Sequence, residues 1–179
     1  RRFWGNSSKI PFFADFGHLN TVSNKSSSCE IEEMSFNISN LGIFRPSTNY
    51  IADQTKDIDL IAKPGTWSRA QHDQWTYFNL TELEAWIWST AVNTFVLPED
   101  ERIHACIPQN EKMFKKGANV LDRYLADHEY FVEDRFTVTD IIIGYTLNWA
   151  RRQGLVKDFP SINLFLERLF LREHCVLPQ

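Results

Sequence analysis

The sequence predicts a mainly α-helical protein: an all-α bundle after residue 65, behind a shorter N-terminal segment with strand and loop character. Three observations support this. Thr137 and Asp140 have the spacing of a capping box, with Asp in place of the usual Glu, and Phe136 and Ile141 flank it as a hydrophobic staple. The run from Ile141 to Ala150 is apolar on nearly every face, so the helix that starts there is buried. Upstream, Trp75, Phe78, Leu83, Trp86, Ile87, Thr90 and Ala91 recur at spacings of three and four among polar neighbours, the period of a long amphipathic helix.

The elements follow in chain order. Lys9-Ile10-Pro11-Phe12-Phe13-Ala14-Asp15 reads as a short strand entered through a proline. Residues 16–49 are rich in Ser and Asn, carry little helical or strand period, and read as a long irregular insert. A short helix over 49–57 would turn Tyr50, Ile51 and Ala52 inward and Asp53, Lys56 and Asp57 outward. Ala62-Lys63-Pro64-Gly65-Thr66 has turn chemistry and divides the chain into residues 1–62 and 63–179. Thr66 or Ser68 can cap the long helix, which runs to about Phe95 and stops before Pro98. Glu99-Asp100-Glu101 charges the helix start that follows. A second helix spans roughly Asn110 to Asp127, with Met113, Phe114, Ala118, Leu121 and Leu125 on one face. The capped helix runs from Val138 to about Gln153 and ends at Gly154. Pro160 and Ser161 open the last helix, with Ile162, Phe165, Leu166, Leu169 and Phe170 inward.

Composition bounds the function. A hydrophobic share of 43%, with 14 Phe and six Trp, is enough for a core built from large aromatic units. The formal charge of −4 gives no reason to expect nucleic acid or an anionic membrane as partner. No apolar run approaches the ~18 residues of a membrane span, and Arg1-Arg2-Phe3-Trp4 leads straight into polar residues, unlike a signal peptide. Cys29, Cys106 and Cys175 are odd in number and far apart, which fits reduced thiols in a cytoplasmic setting. On that reading the N-x-S/T triplets at Asn6, Asn24, Asn37 and Asn79 are chance matches.

Candidate chemistry is sparse. His18, His72, His104, His128 and His174 fall in no metal-ligating spacing, so no metal is expected. His72-Asp73 could form an acid–base pair but reads better as a solvated polar face. Glu82 and Glu84 are two apart and point in different directions on a helix. Trp75, Tyr77, Phe78, Trp86 and Trp88 cannot all face one way; they supply core and a helix–helix or dimer seam. The alternative is that one edge of the long helix, at Gln74, Tyr77 and Phe78, lines a pocket for an apolar ligand.

Residues 134–155, with their capping box, staple and Leu147-Asn148-Trp149-Ala150-Arg151, resemble the C-terminal domain of the glutathione transferase superfamily. Ile61-Ala62-Lys63-Pro64-Gly65-Thr66 resembles the link between that family's two domains. Asp73-Gln74-Trp75 through Pro98-Glu99 resembles the long first helix of the second domain, and Asp158-Phe159-Pro160 through Arg168 its late helix. The resemblance implies a thioredoxin-like glutathione-binding segment over 1–62, partial or altered by the Ser/Asn-rich insert. Lys9-Ile10-Pro11 is similar to the strand entered through a cis-proline, where the backbone of Ile10 would meet the cysteinyl part of glutathione. Ser27 and Ser28 stand where the family holds the γ-glutamyl end.

The resemblance further implies a cytoplasmic homodimer that uses glutathione as cosubstrate to conjugate small apolar electrophiles in detoxification. No catalytic residue is assigned. Only ten residues precede Pro11, too few for the strand and helix that carry the family's catalytic Tyr, Ser or Cys, and nothing marks Ser7 or Ser8 for that role. The other reading is a non-catalytic dimerisation or interaction module on the same bundle.

Overall fold

The computed structural model describes residues 41–55, 59–175 and 177. Among them no strand forms beyond an isolated bridge between Val132 and Arg135. The helices are α1 (Leu41–Gln54), α2 (residues 67–96), α3 (Ile107–Leu125), α4 (Val138–Arg152) and α5 (Pro160–Phe170). Short 3-10 turns at Glu99–Glu101 and His104–Cys106 join α2 to α3. The expected mainly α class and the bundle after the linker are present. The strand expected at residues 9–15 and most of the expected insert lie outside the described residues.

α1 corrects the sequence reading twice. It begins at Leu41, inside the stretch read as irregular, and continues through Pro46, which by itself argues against a helix there. Packing on the bundle overrides that weak propensity: Thr48 and Ala52 are buried. Tyr50 lies two residues from each, about 200° round the helix, so it points outward and is 67% exposed rather than inward.

α2 starts where its sequence allows. Gly65 takes the left-handed conformation the turn needs (φ +82°), and the Thr66 hydroxyl accepts the Arg69 N–H at 3.3 Å. The helix is continuous to Val96 but contains two wide π turns, Asn79–Glu84 and Val92–Val96. There the bonds run to the fifth residue back, as in Leu97 N–H to the Val92 carbonyl at 3.1 Å. The first wide turn re-phases the buried face, so the neighbours Leu83 and Glu84 both point inward.

α3 begins at Ile107, ahead of the expected Asn110, because Pro108 suits the first turn of a helix. Phe114, Ala118, Leu121 and Leu125 are buried as expected, Met113 only half so. Gly117 faces α2, and a Cβ there would stand 2.6 Å from the Glu82 carbonyl oxygen. Helix propensity favours Ala over Gly by about 1 kcal/mol, but overpacking costs about 1–3 kcal/mol, and a backbone oxygen cannot rotate away. Gly117→Ala is therefore expected to lower stability by about 1–2 kcal/mol, read as a lower urea midpoint.

α4 carries the capping box. Asp140 Oδ2 accepts the Thr137 N–H at 2.7 Å and the Thr137 hydroxyl at 2.9 Å. Gly154, at φ +76°, ends the helix. α5 opens at Pro160 and is capped from another element: Asp122 of α3 accepts the Ser161 and Ile162 N–H groups at 2.8 and 3.0 Å. Ile162, Phe165, Leu166 and Leu169 are buried; Phe170, expected inward, is half-buried with Arg151 stacked 4.8 Å over its ring.

Phe114, Leu121, Phe131, Ile143, Leu147 and Phe165 belong to the main core. A smaller cluster, Ala52, Ile61, Val138 and Ile142, seats α1 and the linker on α4, beside the Val138 N–H bond to the Leu60 carbonyl at 2.9 Å.

Candidate functional site

The buried face of α2 is not wholly apolar. It presents His72, Thr76, Asn79 and Glu84 to α4, which answers with Thr139 and Thr146. His72 Nδ1 lies 2.7 Å from Thr139 Oγ1. The Asn79 amide donates to Thr146 Oγ1 at 3.0 Å, and the Thr146 hydroxyl donates to Glu84 Oε2 at 3.1 Å. Both cross-helix pairs are 67 residues apart in sequence, so α2 and α4 run parallel. The two rungs are two turns apart, about 10 Å along the axes.

Thr76 sits between the rungs with its hydroxyl buried and no hydrogen-bond partner among the described residues. Exchanging it for an isosteric apolar side chain removes an unmet desolvation cost. Thr76→Val is expected to raise stability by about 1 kcal/mol in the same urea titration.

His72 corrects the expectation of a solvated polar face: it is 1% exposed. Its other nitrogen, Nε2, lies 3.1 Å from Asn49 Oδ1 of α1, so the ring bridges α1, α2 and α4. Alongside, Arg69 forks onto Asp53 at 2.8 and 2.9 Å and donates to the Ala62 carbonyl at 3.0 Å. The Arg69 hydrogen bond holds the Asp53 carboxyl below its ordinary pKa. Burial lowers the His72 pKa, against the raising influence of Asp73. The signal that could have revealed this interface is the polar spacing His72, Thr76, Asn79 on one helix and Thr139, Thr146 on another.

Other expected features fall into place around it. Asn79 is fully buried, so its N-x-T triplet is closed to modification in the folded chain. Glu84 turns into the bundle and Glu82 does not. Trp75 packs on Tyr124 and Phe131 at ring distances of 4.6 and 5.2 Å, and Trp86 also lies against the core. Gln74 and Tyr77 are exposed, Tyr77 by 66%, on the side of α2 opposite His72. Phe78 is half-buried edge-on to Trp75 at 5.9 Å. Ile10, Pro11, Ser27 and Ser28, with Ser7 and Ser8, lie outside the described residues. Among the described residues no helix is long and apolar enough to cross a membrane, and no group of three or more His, Cys, Asp or Glu side chains could hold a metal ion.

Comparison with known proteins places this bundle. The family model described as the glutathione S-transferase C-terminal domain matches residues 84–173. No curated protein sequence matches. Among solved structures, the bacterial beta-class glutathione S-transferase of Sphingomonas chungbukensis is 23% identical, with a TM-score of 0.62 over 76% of this chain and 63% of that one. A Phanerochaete chrysosporium protein crystallised with 1-(S-glutathionyl)-2,4-dinitrobenzene is 20% identical, with a TM-score of 0.62 over 72% of this chain and 62% of that one. A bacterial glutathione transferase solved as a ternary complex is 22% identical, with a TM-score of 0.63 over 71% and 60%. The chain thus spans about three fifths of the length of the structures it matches. With half of its length matched by the family model, and that half folded as the family's helical domain, the chain belongs to the glutathione S-transferase superfamily.

Proposed function

We propose that the protein acts as a glutathione transferase, joining the thiolate of glutathione to an apolar electrophile held along α2. The observation that carries this reading is the family match over residues 84–173 on a bundle whose α2 leaves Gln74 and Tyr77 exposed and Phe78 half-buried beside them. Glutathione would be held by Ile10, Pro11, Ser27 and Ser28, the positions the family resemblance implies. In the reaction the glutathione sulfur forms a bond to carbon, the leaving group departs with its electron pair, and the thiol proton passes to solvent. The conjugate named with the Phanerochaete chrysosporium relative makes an aryl halide the natural first electrophile. The same reading makes the protein a cytoplasmic homodimer acting in detoxification.

Retention on immobilised glutathione and turnover of 1-chloro-2,4-dinitrobenzene test the proposal. Tyr77→Ala is expected to raise KM for the aryl halide severalfold with kcat little changed, as for loss of binding shared equally by the ground and transition states. Absence of both retention and turnover overturns it.

One observation favours a second reading, a dimerisation or interaction module. Phe95 (58% exposed), Val96 and Ile103 stand exposed where α2 ends. Trp86 is packed on the core, so Phe95→Glu is the informative variant: a halved mass in sedimentation, with no glutathione retention or turnover by the wild type, supports this reading, and an unchanged mass counts against it.

A further inference from the structure

We infer that the outer face of α2 is the seam of a symmetric dimer, on which α2 of a second copy lies antiparallel. The inference takes up the homodimer of the conjugation reading and names its contact. It is read by mass alone, so it stands or falls separately from glutathione retention and turnover.

The residues of α2 exposed between positions 67 and 93 are Trp67, Ala70, Gln74, Tyr77, Thr81 and Ala85, and none carries a charge. A solvated outer face would carry charged side chains, in a chain with 23% charged residues. α3 shows the contrast: its exposed positions include Glu111, Lys112, Lys116 and Arg123. The exposed residues of α2 step by three and four, the spacing of a helix–helix seam. The wide turn Asn79–Glu84 makes the last step four instead of three. A regular helix would bring Glu84 to this face; the wide turn brings Ala85 and leaves Glu84 buried. Trp67 and Tyr77 leave large aromatic surfaces to water, at 75% and 66% exposed.

The order of side-chain sizes along the stripe names the occupant. About a centre near Thr76, the stripe pairs Trp67 with Ala85, Ala70 with Thr81, and Gln74 with Tyr77. A second copy running antiparallel therefore sets each Trp67 indole over the Ala85 of the other chain. Ala70 meets Thr81 of the second copy, and both are small enough for the helices to approach. At the centre the Gln74 amide meets the Tyr77 hydroxyl of the second copy, each able to donate and accept. A parallel pair would crowd Trp67 against Trp67 at one end and leave Ala85 facing Ala85 at the other. Asp73 and Glu82, the acids beside the stripe, come level with Phe78 and Arg69 of the second copy, so no like charges face. The same patch serves on both copies, and association closes at two. The stripe is ~27 Å long. One helix pair of that length buries less than the ~1,600 Å² of a standard interface, so the dimer is expected to part in the micromolar range.

A helix pair leaves a groove on each side. Phe78, half-buried at the edge of the stripe, stands in one of them with Tyr77 beside it, so the position proposed for the electrophile stays open.

Sedimentation equilibrium of the full chain, in a concentration series up to about 100 µM, tests the inference. The wild type is expected to approach twice the chain mass. Ala70→Arg and Thr81→Glu, both at exposed positions, are each expected to stay at one chain. Mixed in equal amounts they are expected to recover the dimer, because antiparallel pairing sets the two introduced charges against each other. Misfolding of either variant could not produce that recovery. Phe95→Glu, off the stripe, is expected to keep the dimer. A wild type at one chain mass throughout, as when other residues of the chain cover the face, overturns the inference. An unchanged mass in Ala70→Arg, or a mixture that stays at one chain, overturns it as well.

Discussion

Asp140→Ala is expected to destabilise the bundle by about 3 kcal/mol at pH 7. The carboxylate accepts the Thr137 N–H and hydroxyl on one oxygen and the Phe131 N–H, at 3.0 Å, on the other. It therefore caps α4 and also pins the loop that precedes it. Alanine leaves two buried N–H groups without partners, each costing about 1–3 kcal/mol. Relief of a buried charge offsets part of that loss, because burial raises the Asp140 pKa to about 6 despite its donors.

That raised value gives the difference a pH dependence. The ordinary carboxyl pKa is 3.8, so as pH falls through 6 the folded state binds the proton first and wild-type stability rises. Between pH 7 and pH 5 the gap between wild type and Asp140→Ala should widen by roughly 1 kcal/mol. His72 is present in both proteins, so the difference isolates Asp140. Urea titrations at the two pH values read it directly; a gap that narrows with acid refutes the protonation argument.

Phe131→Ala is expected to cost about 3–5 kcal/mol. The ring is fully buried among Trp75, Tyr124 and Phe165, with centroid distances of 5.2, 5.9 and 5.3 Å, and so joins α2, α3 and α5. Its carbonyl accepts the Tyr124 hydroxyl at 3.1 Å, so little nearby can move into the gap. Denaturation followed by tryptophan fluorescence, to which Trp75 is one of six contributors, measures the loss. Because the Phe131 N–H is held by Asp140, the two substitutions should combine to less than their sum. Against a domain stability of ~5–15 kcal/mol, either variant alone removes a large share.

The helices of the bundle were legible in the sequence wherever a local signal existed. The capping box at Thr137 and Asp140, the turn at Gly65 and the stop at Gly154 each act within a few residues, and each stands where the pattern places it. What sequence reasoning missed depends on partners far along the chain. His72 reads as surface because nothing near it announces Thr139 or Asn49. Residues 49–54 of α1 read as helix, but the turns before them read as irregular because Pro46 argues against a helix that tertiary contacts at Thr48 and Ala52 sustain. The wide turns of α2 leave no compositional mark at all. Of the proposed glutathione and electrophile residues, Gln74, Tyr77 and Phe78 are the ones that fall on described residues.

The cap of α5 has a consequence for how the chain is made. Its first amides are received by Asp122, a side chain of α3 some two helices earlier. A nascent chain that has emerged as far as α3 already holds the acceptor for a helix not yet synthesised. The last helix is thus started by a partner that is waiting for it, so order of synthesis and order of assembly run in the same direction.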